Sequence, residues 1–191
     1  MRMNSSMQRS LPPRHPIDVD AYYRMAEEGL LAPDARVELI EGEIVDMPPI
    51  GSSHAGNVIR LARILYSATS GRALVASQSP VRLGGFSEPQ PDLMLLKNRE
   101  DDYRNSHPTA QDVLLLVEVS DSSLRSDRNI KIPLYARHQI PEVWILDLEG
   151  RQLLVHRSAV DGRYRDVSTE SSGICSPALA PHVQIPLSDL L

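Results

Sequence analysis

Runs of apolar residues between polar turns predict a β-sheet that is partly buried on both faces. The unbroken run from Val113 to Val117 is typical of a strand covered on both sides. The apolar runs at residues 93–96 and 143–146 have the same character. Because the run that begins at Val113 leads directly into Glu118, this carboxylate is expected at a strand end where water is scarce, and it therefore needs a partner.

Alternation of apolar and polar residues predicts further strands and two β-hairpins. Residues 36–47 alternate on both sides of Glu41-Gly42, a pair that favours a tight hairpin turn with Glu38 on the first strand. A second hairpin is expected to close the fold across Asp161-Gly162. The other predicted strands cover residues 73–77, 81–83, 151–157 and 163–167.

Apolar residues at helical spacing predict three helices. Asp18 is the expected N-cap of the first helix, and Ser52 or Ser53 is the expected N-cap of the second. The third helix carries Lys131 and Tyr135 four residues apart, and therefore on one face. The predicted bounds are Val19–Glu28, His54–Ser70 and Asn129–Gln139.

The order of these elements predicts one domain after a short arm. Residues 1–16 are polar, contain several prolines and show no periodicity, so we expect a mobile N-terminal arm. Residues 17–191 form the predicted single domain, and a chain of this size needs only one core. The central elements run αβββαβ, which favours a mixed sheet flanked by helices, the α/β (α+β) class.

Composition excludes several classes of protein. The 191 residues contain no apolar run of 18 and no signal-like start, so we expect a cytoplasmic protein without a membrane segment. The single cysteine, Cys175, permits neither an intrachain disulfide nor a cysteine-based zinc site. A net charge of -5 argues against a protein that coats nucleic acid through a uniformly basic surface, although local basic patches stay open.

Two carboxylates at predicted strand ends suggest a site for a divalent cation. Asp92 follows Pro91 and opens the apolar run at residues 93–96, and Glu118 ends the central run. Lys97 and Lys131 are the only lysines among 20 basic residues, and Lys131 belongs to the segment that follows Glu118. Carboxylate oxygens bind hard cations, and an ammonium beside them could face a phosphate.

A set of short motifs runs in order along residues 20–157. They are Glu38 followed by Glu41-Gly42-Glu43, His54, Gln90-Pro91-Asp92, Val117-Glu118-Val119-Ser120, Asp127, Lys131, Tyr135 and the PEVWILD segment at 141–147. In this order and spacing they resemble the PD-(D/E)XK nuclease superfamily, and more closely its Uma2 group of restriction-endonuclease-like proteins. The resemblance implies a restriction-endonuclease-like fold and magnesium-dependent hydrolysis of phosphodiester bonds.

The resemblance also implies roles for individual residues. The superfamily pattern places a lysine where this chain has Ser120, and Lys131 looks like its displaced replacement. Asp92 and Glu118 would bind Mg²⁺, or Mn²⁺ as a substitute, with the carbonyl of Val119 as a third ligand. Lys131 would orient or deprotonate a water or offset phosphate charge. Glu38, the fourth predicted catalytic residue, could bind a second ion or receive a water.

Six further residues could bind substrate or support the site, and each has a simpler structural interpretation. His54 could contact phosphate or cap a helix, and Tyr135 could hydrogen-bond Lys131 or be a half-buried core residue. Gln90 could orient Asp92 or lie at the strand edge. The others are Asp127 as a helix cap, and Arg125 and Arg128 as phosphate contacts or solvated charges.

Three functions stay open from the sequence. The first is a metal-dependent endonuclease acting on DNA, with a homodimer as a natural arrangement for cutting two strands. The second is a nucleic-acid-binding or interaction module that keeps the fold without turnover. The third is a subunit of an assembly in which the acids form a structural ion-pair network.

Overall fold

The computed structural model describes residues 14–121 and 127–191. Residues 1–13 of the predicted arm lie outside this range, so the arm and the domain boundary at residue 17 stay predictions. Residues 14–17 lie along a hairpin: Arg14 contacts Glu43, and the amide of Ile17 donates to the carbonyl of Gly42 at 2.9 Å.

The described residues form a six-stranded mixed sheet and two smaller pairs of strands. The large sheet has the order β3-β4-β5-β6-β7-β8, in which only β5 and β6 are parallel. With its flanking helices it confirms the predicted α/β class. The strands are β1 (Val37–Ile40), β2 (Glu43–Asp46), β3 (Leu74–Ser77), β4 (Leu93–Leu96), β5 (Val113–Ser120), β6 (Glu142–Asp147), β7 (Gln152–Val160), β8 (Arg163–Glu170), β9 (Ile174–Cys175) and β10 (Ile185–Pro186).

Both predicted hairpins are present. Strands β1 and β2 pair across Glu41 and Gly42, whose φ angles of 50° and 80° suit the tight turn that matches strand twist. At Gly42 a side chain would also collide with Pro16, because an added Cβ would lie 2.5 Å from the Pro16 Cβ. Strands β7 and β8 form the closing hairpin, longer than predicted. The two-residue strands β9 and β10 pair with each other beside the main sheet.

Three α-helices occur in the described residues, with small differences from the predicted bounds. They are α1 (Val19–Glu27), α2 (Ser52–Thr69) and α3 (Ile132–Arg137). Asp18 caps α1 as predicted, because its carboxylate accepts from the amide of Ala21 at 2.7 Å. The predicted serine cap of α2 is wrong: the helix begins at Ser52, and Gly51 occupies the cap position without a side-chain bond.

Two other predictions need correction. Residues 81–83 form no strand, because the amides of Val81 and Leu83 donate to Pro89 and Ser87 in a local turn instead of a neighbouring strand. Only an isolated bridge joins Arg82 to Thr109. The predicted helix at 129–139 divides into a π-helical turn, Asp127–Lys131, followed by α3, where Pro133 lies in the first turn as expected.

The sheet separates two apolar clusters, one under each layer of helix. Helix α2 contributes Val58, Leu61 and Leu65 to one cluster, which also contains Trp144. Helix α3 contributes Leu134 and Tyr135 to the other. Because successive side chains of a strand point to opposite faces, the central strands supply both clusters in alternation. Strand β5 continues to Ser120, so Glu118 lies within it and not at its end as predicted.

Candidate active site

Strand pairing brings the two predicted carboxylates to one end of the sheet. Leu93 of β4 pairs with Val117 of β5, so Asp92 and Glu118 follow as the next neighbours across the two strands. The amide of Val119 donates to Asp92 Oδ2 at 2.8 Å, which ties the Asp92 carboxylate to the end of β5. Both carboxylates are largely buried, with side-chain exposures of 13% for Asp92 and 4% for Glu118.

His54, in the first turn of α2, contacts Asp92 directly. Its Nε2 lies 2.9 Å from Asp92 Oδ1. The hydrogen bond to Asp92 is the main cause of a raised His54 pKa; burial opposes it, and the charges of Asp92, Glu118 and Asp121 add to it. The structure therefore places His54 in the site and excludes a solely surface position. Asp121, at the end of β5, contributes negative charge that the sequence interpretation had not assigned.

Lys131 and Tyr135 reach Glu118 from the opposite side of the sheet. Lys131 Nζ lies 3.3 Å from Glu118 Oε1 and 3.6 Å from Glu38 Oε2. The hydroxyl of the fully buried Tyr135 donates to Glu118 Oε1 at 2.6 Å. Tyr135 is thus completely buried, not half-buried as predicted, and its hydroxyl bonds Glu118. The predicted hydrogen bond to Lys131 stays a prediction.

Glu38 and Gln90 complete the described part of the cluster. Glu38 lies on β1, outside the main sheet, and is only 8% exposed at its side chain. The amide of Gln90 donates to Glu38 Oε2 at 3.2 Å, so the backbone of Gln90 holds the carboxylate on the side facing Lys131. A salt-bridge partner 93 residues away in sequence is a contact that only the folded chain creates.

The roles predicted for three supporting residues stay predictions. Arg125 and the side chain of Asp127 lie outside the described residues. Arg128 is exposed. Val119 lies in β5 opposite Leu146, and its amide contacts Asp92; its carbonyl stays a predicted ligand.

A second buried acid, Glu142 at the start of β6, was missed by sequence reasoning. It accepts from Trp144 Nε1 at 2.5 Å, from Arg157 at 2.8 Å and from the amide of Ala178 at 2.7 Å. The sequence does contain a pattern that could have identified this acid. Glu142 follows Pro141 and opens an apolar strand, just as Asp92 follows Pro91.

The donor set at the strand ends fits a hard cation held by few protein ligands. Among the described residues no group of three or more His, Cys, Asp or Glu side chains is arranged as a ready-made metal cage. Magnesium does not require one, since it is commonly bound through one or two carboxylates and keeps several waters. Within the described residues, Glu118 and Glu38 both lie beside the ammonium of Lys131, and Asp92 is the neighbour of Glu118 across the two strands. Two carboxylates on adjacent strands are enough for a magnesium ion that keeps its own waters.

The mixed sheet between helices has the fold of a solved structure. A crystal structure from Anabaena variabilis, described as a putative nuclease of the DUF820 group, superposes with a TM-score of 0.68 at 17% identity. The match covers 92% of this chain and 97% of that one. The chain belongs to the Uma2 family, whose description reads "putative restriction endonuclease" and whose profile matches residues 19–188.

Neither a curated relative nor, in the part of the chain that the structure describes, a membrane-spanning helix is found. No curated protein is significantly similar to this chain. Within the described residues, none of the helices is both long enough and apolar enough to span a bilayer.

Proposed function

We propose that this chain is a metal-dependent endonuclease that hydrolyses phosphodiester bonds, with DNA as its substrate. The proposal is supported by the family to which the chain belongs and by one arrangement: Asp92, just before β4, and Glu118, near the end of β5, are neighbours across the two strands, and Lys131 Nζ lies 3.3 Å from Glu118. Acids with a lysine at the end of a sheet suit phosphate chemistry, because the reaction must relieve negative charge and position a water.

Asp92 and Glu118 are the residues that would hold Mg²⁺ or Mn²⁺. A bound divalent ion supplies charge neutralisation at the phosphate and a more acidic water. The chain itself fixes the two acids from opposite sides: His54 and the Val119 amide hold Asp92, and Tyr135 holds Glu118. Such supporting hydrogen bonds keep the ligand oxygens oriented before substrate arrives.

Lys131 is the residue best situated to act on water or phosphate. Its ammonium lies between Glu118 and Glu38, and its side chain is only 14% exposed. A lysine carries three donors on a compact charge, so it can orient a water toward the phosphorus or donate to a phosphate oxygen. Glu38 holds the ammonium from the other side and could accept a proton from the same water.

Nicking of supercoiled plasmid tests the proposal. Wild-type protein should relax the plasmid with Mg²⁺ or Mn²⁺ and not with EDTA. Lys131→Met and Asp92→Asn should each lower the rate by on the order of 10²–10⁴-fold, the range for removing a general acid–base or ion-binding group. Matched controls are Lys97→Met and Asp34→Asn, which alter exposed residues and should cut normally. Equal cutting by all four variants would reject the assignment.

One observation favours a second function, a nucleic-acid-binding module without turnover. Both Asp92 oxygens and Glu118 already have partners within the protein, and Lys131 pairs with two acids. Such a network can be stable without an ion. A gel shift of DNA by wild-type protein, with no metal-dependent cutting, would support this alternative.

A further inference from the structure

The outward face of helix α2 carries positive charge in an otherwise acidic protein. Its 18 residues, Ser52–Thr69, include Arg60, Arg63 and His54 but no aspartate or glutamate. The whole chain has a net charge of -5. His54 belongs to the candidate active site, so this basic helix begins at the site and runs away from it.

One stripe of this face borders a surface hollow. Ser53, Asn57 and Arg60 are spaced four and three residues apart, which places them on one side of the helix. With Arg151 they line a hollow of about 230 Å³. Asp147 also lines it, but its carboxylate accepts from the Gly150 amide and from Gln152 Nε2. The guanidinium of Arg151 donates to the main-chain oxygen of Leu191, not to an aspartate or glutamate.

The two arginines of α2 have no acidic partner within the described ranges: neither Arg60 nor Arg63 forms an ion pair, whereas Arg82, Arg99 and Arg157 each do. Other exposed arginines in the described part of the chain are also without an ion pair, so the neighbouring side chains are what distinguish this face. Beside them Tyr66 is 76% exposed. An exposed aromatic ring next to unpaired guanidinium groups is the combination that stacks bases and binds phosphates.

We propose that the outward face of α2, with Arg60, Arg63 and Arg151, binds the phosphate backbone of the DNA that enters the candidate active site. This inference rests on the proposed nuclease function. With a helical rise of about 1.5 Å and a rotation of about 100° per residue, Arg60 and Arg63 lie about 9 and 14 Å along the axis from His54, and Arg63 is on the opposite side of the helix. The face is therefore outside the site, at the distance of a few nucleotides of a bound strand.

A second copy of the chain fits this face less well than DNA does. In a two-fold contact the same helix would face itself, so Arg60 and Arg63 of both copies would meet. The helix has no acid to offset them. Exposed Ile59 and Tyr66 would suit a protein interface, but the uncompensated charge favours a polyanion.

The dependence of DNA binding on salt tests the inference. Binding of a fluorescent duplex to the full chain is measured by anisotropy in EDTA at several salt concentrations, and plasmid cutting is measured in parallel. Each lost phosphate contact should lower the slope of log K against log salt by about 0.9. Arg60→Gln/Arg63→Gln should therefore reduce the slope by about 1.8 and weaken binding roughly 30-fold near 0.15 M salt. Arg151→Gln should reduce it by about 0.9.

The matched control is Arg24→Gln/Arg104→Gln, which removes the same charge from two exposed residues on other elements. It should keep the wild-type slope. Wild-type cutting combined with an unchanged slope in the α2 variant would overturn the inference and leave the proposed function standing. If the α2 variant shows the expected smaller slope but wild-type protein does not cut plasmid, the proposed nuclease function is overturned and the DNA-binding face stands. Absence of DNA binding, or dissociation of a dimer by the α2 variant, would overturn the assignment of this face to DNA.

Discussion

Two buried glutamates in the same sheet have opposite surroundings. Glu142 is completely buried and accepts three bonds, from Trp144, Arg157 and the Ala178 amide. Glu118 accepts from Tyr135, and Lys131 lies beside it, but Lys131 also lies beside Glu38. At Glu142 one acid faces one guanidinium. At Glu118, within the described residues, one ammonium lies beside two acids, Glu118 and Glu38.

The difference separates a structural acid from one suited to chemistry. Around Glu142 the guanidinium and two N–H donors satisfy the carboxylate, so the network is complete without a ligand. Around Glu118 the described residues place Lys131 beside two acids, and His54, Asp92 and Lys131 are partly exposed, an arrangement that suits a bound cation and leaves a route to it. Judged by burial alone, Glu142 would be the stronger candidate for a functional acid. The kinds of residue that contact each acid favour Glu118 instead.

The largest effect on stability is expected when Glu142 is removed from its hydrogen-bonded network. Glu142→Ala removes three bonds and leaves Arg157 without its acid, so the free energy of unfolding should fall by about 3 kcal/mol. This value is the low end of the usual range, because the Arg157 side chain is 30% exposed. Urea denaturation measures it, with exposed Glu149→Ala as the control. The rate of plasmid cutting per folded molecule should not change. Loss of cutting in a folded Glu142→Ala variant would contradict the assignment of Glu142 as a purely structural acid.

A smaller, pH-dependent effect on stability is expected at the candidate active site, where His54 contacts Asp92. The pKa of His54 is raised in the fold, so its protonated form is the one stabilised by Asp92. This contribution is complete below the ordinary histidine pKa of about 6.5 and is lost as pH rises through the raised value. His54→Gln should therefore destabilise the protein more at about pH 5.5 than at about pH 9.

Exposed His15→Gln is the control for that titration. It should leave the pH profile of unfolding unchanged. A stability difference between wild type and His54→Gln that is the same at both pH values would show that the contact with Asp92 does not depend on the proton.

The sequence predicts the parts of this protein that depend on local pattern. The apolar run before Glu118 and the turn pair Glu41-Gly42 each correspond to an observed strand or hairpin. Residues 81–83 were mistaken for a strand because their apolar character reflects burial, with 0% exposure for Val81 and 1% for Leu83, and not sheet pairing.

The candidate site could be predicted as a set of residues but not as a set of contacts. Asp92, Glu118, Lys131 and Glu38 were named from the sequence, and the fold brings their elements together. Which acid receives the Tyr135 hydroxyl depends on how a π-helical turn sets the start of α3, and no periodicity specifies that turn. Likewise the His54–Asp92 contact spans 38 residues and follows only from packing of α2 on the sheet.

The central claim is that Asp92 and Glu118, neighbours across β4 and β5, bind a divalent ion, and titration calorimetry with Mn²⁺ tests it most directly. Wild-type protein should release or absorb heat with a saturable isotherm, Glu142→Gln should retain it, and Asp92→Asn should lose it. Binding that survives in Asp92→Asn, or no binding by folded wild-type protein, would contradict the account.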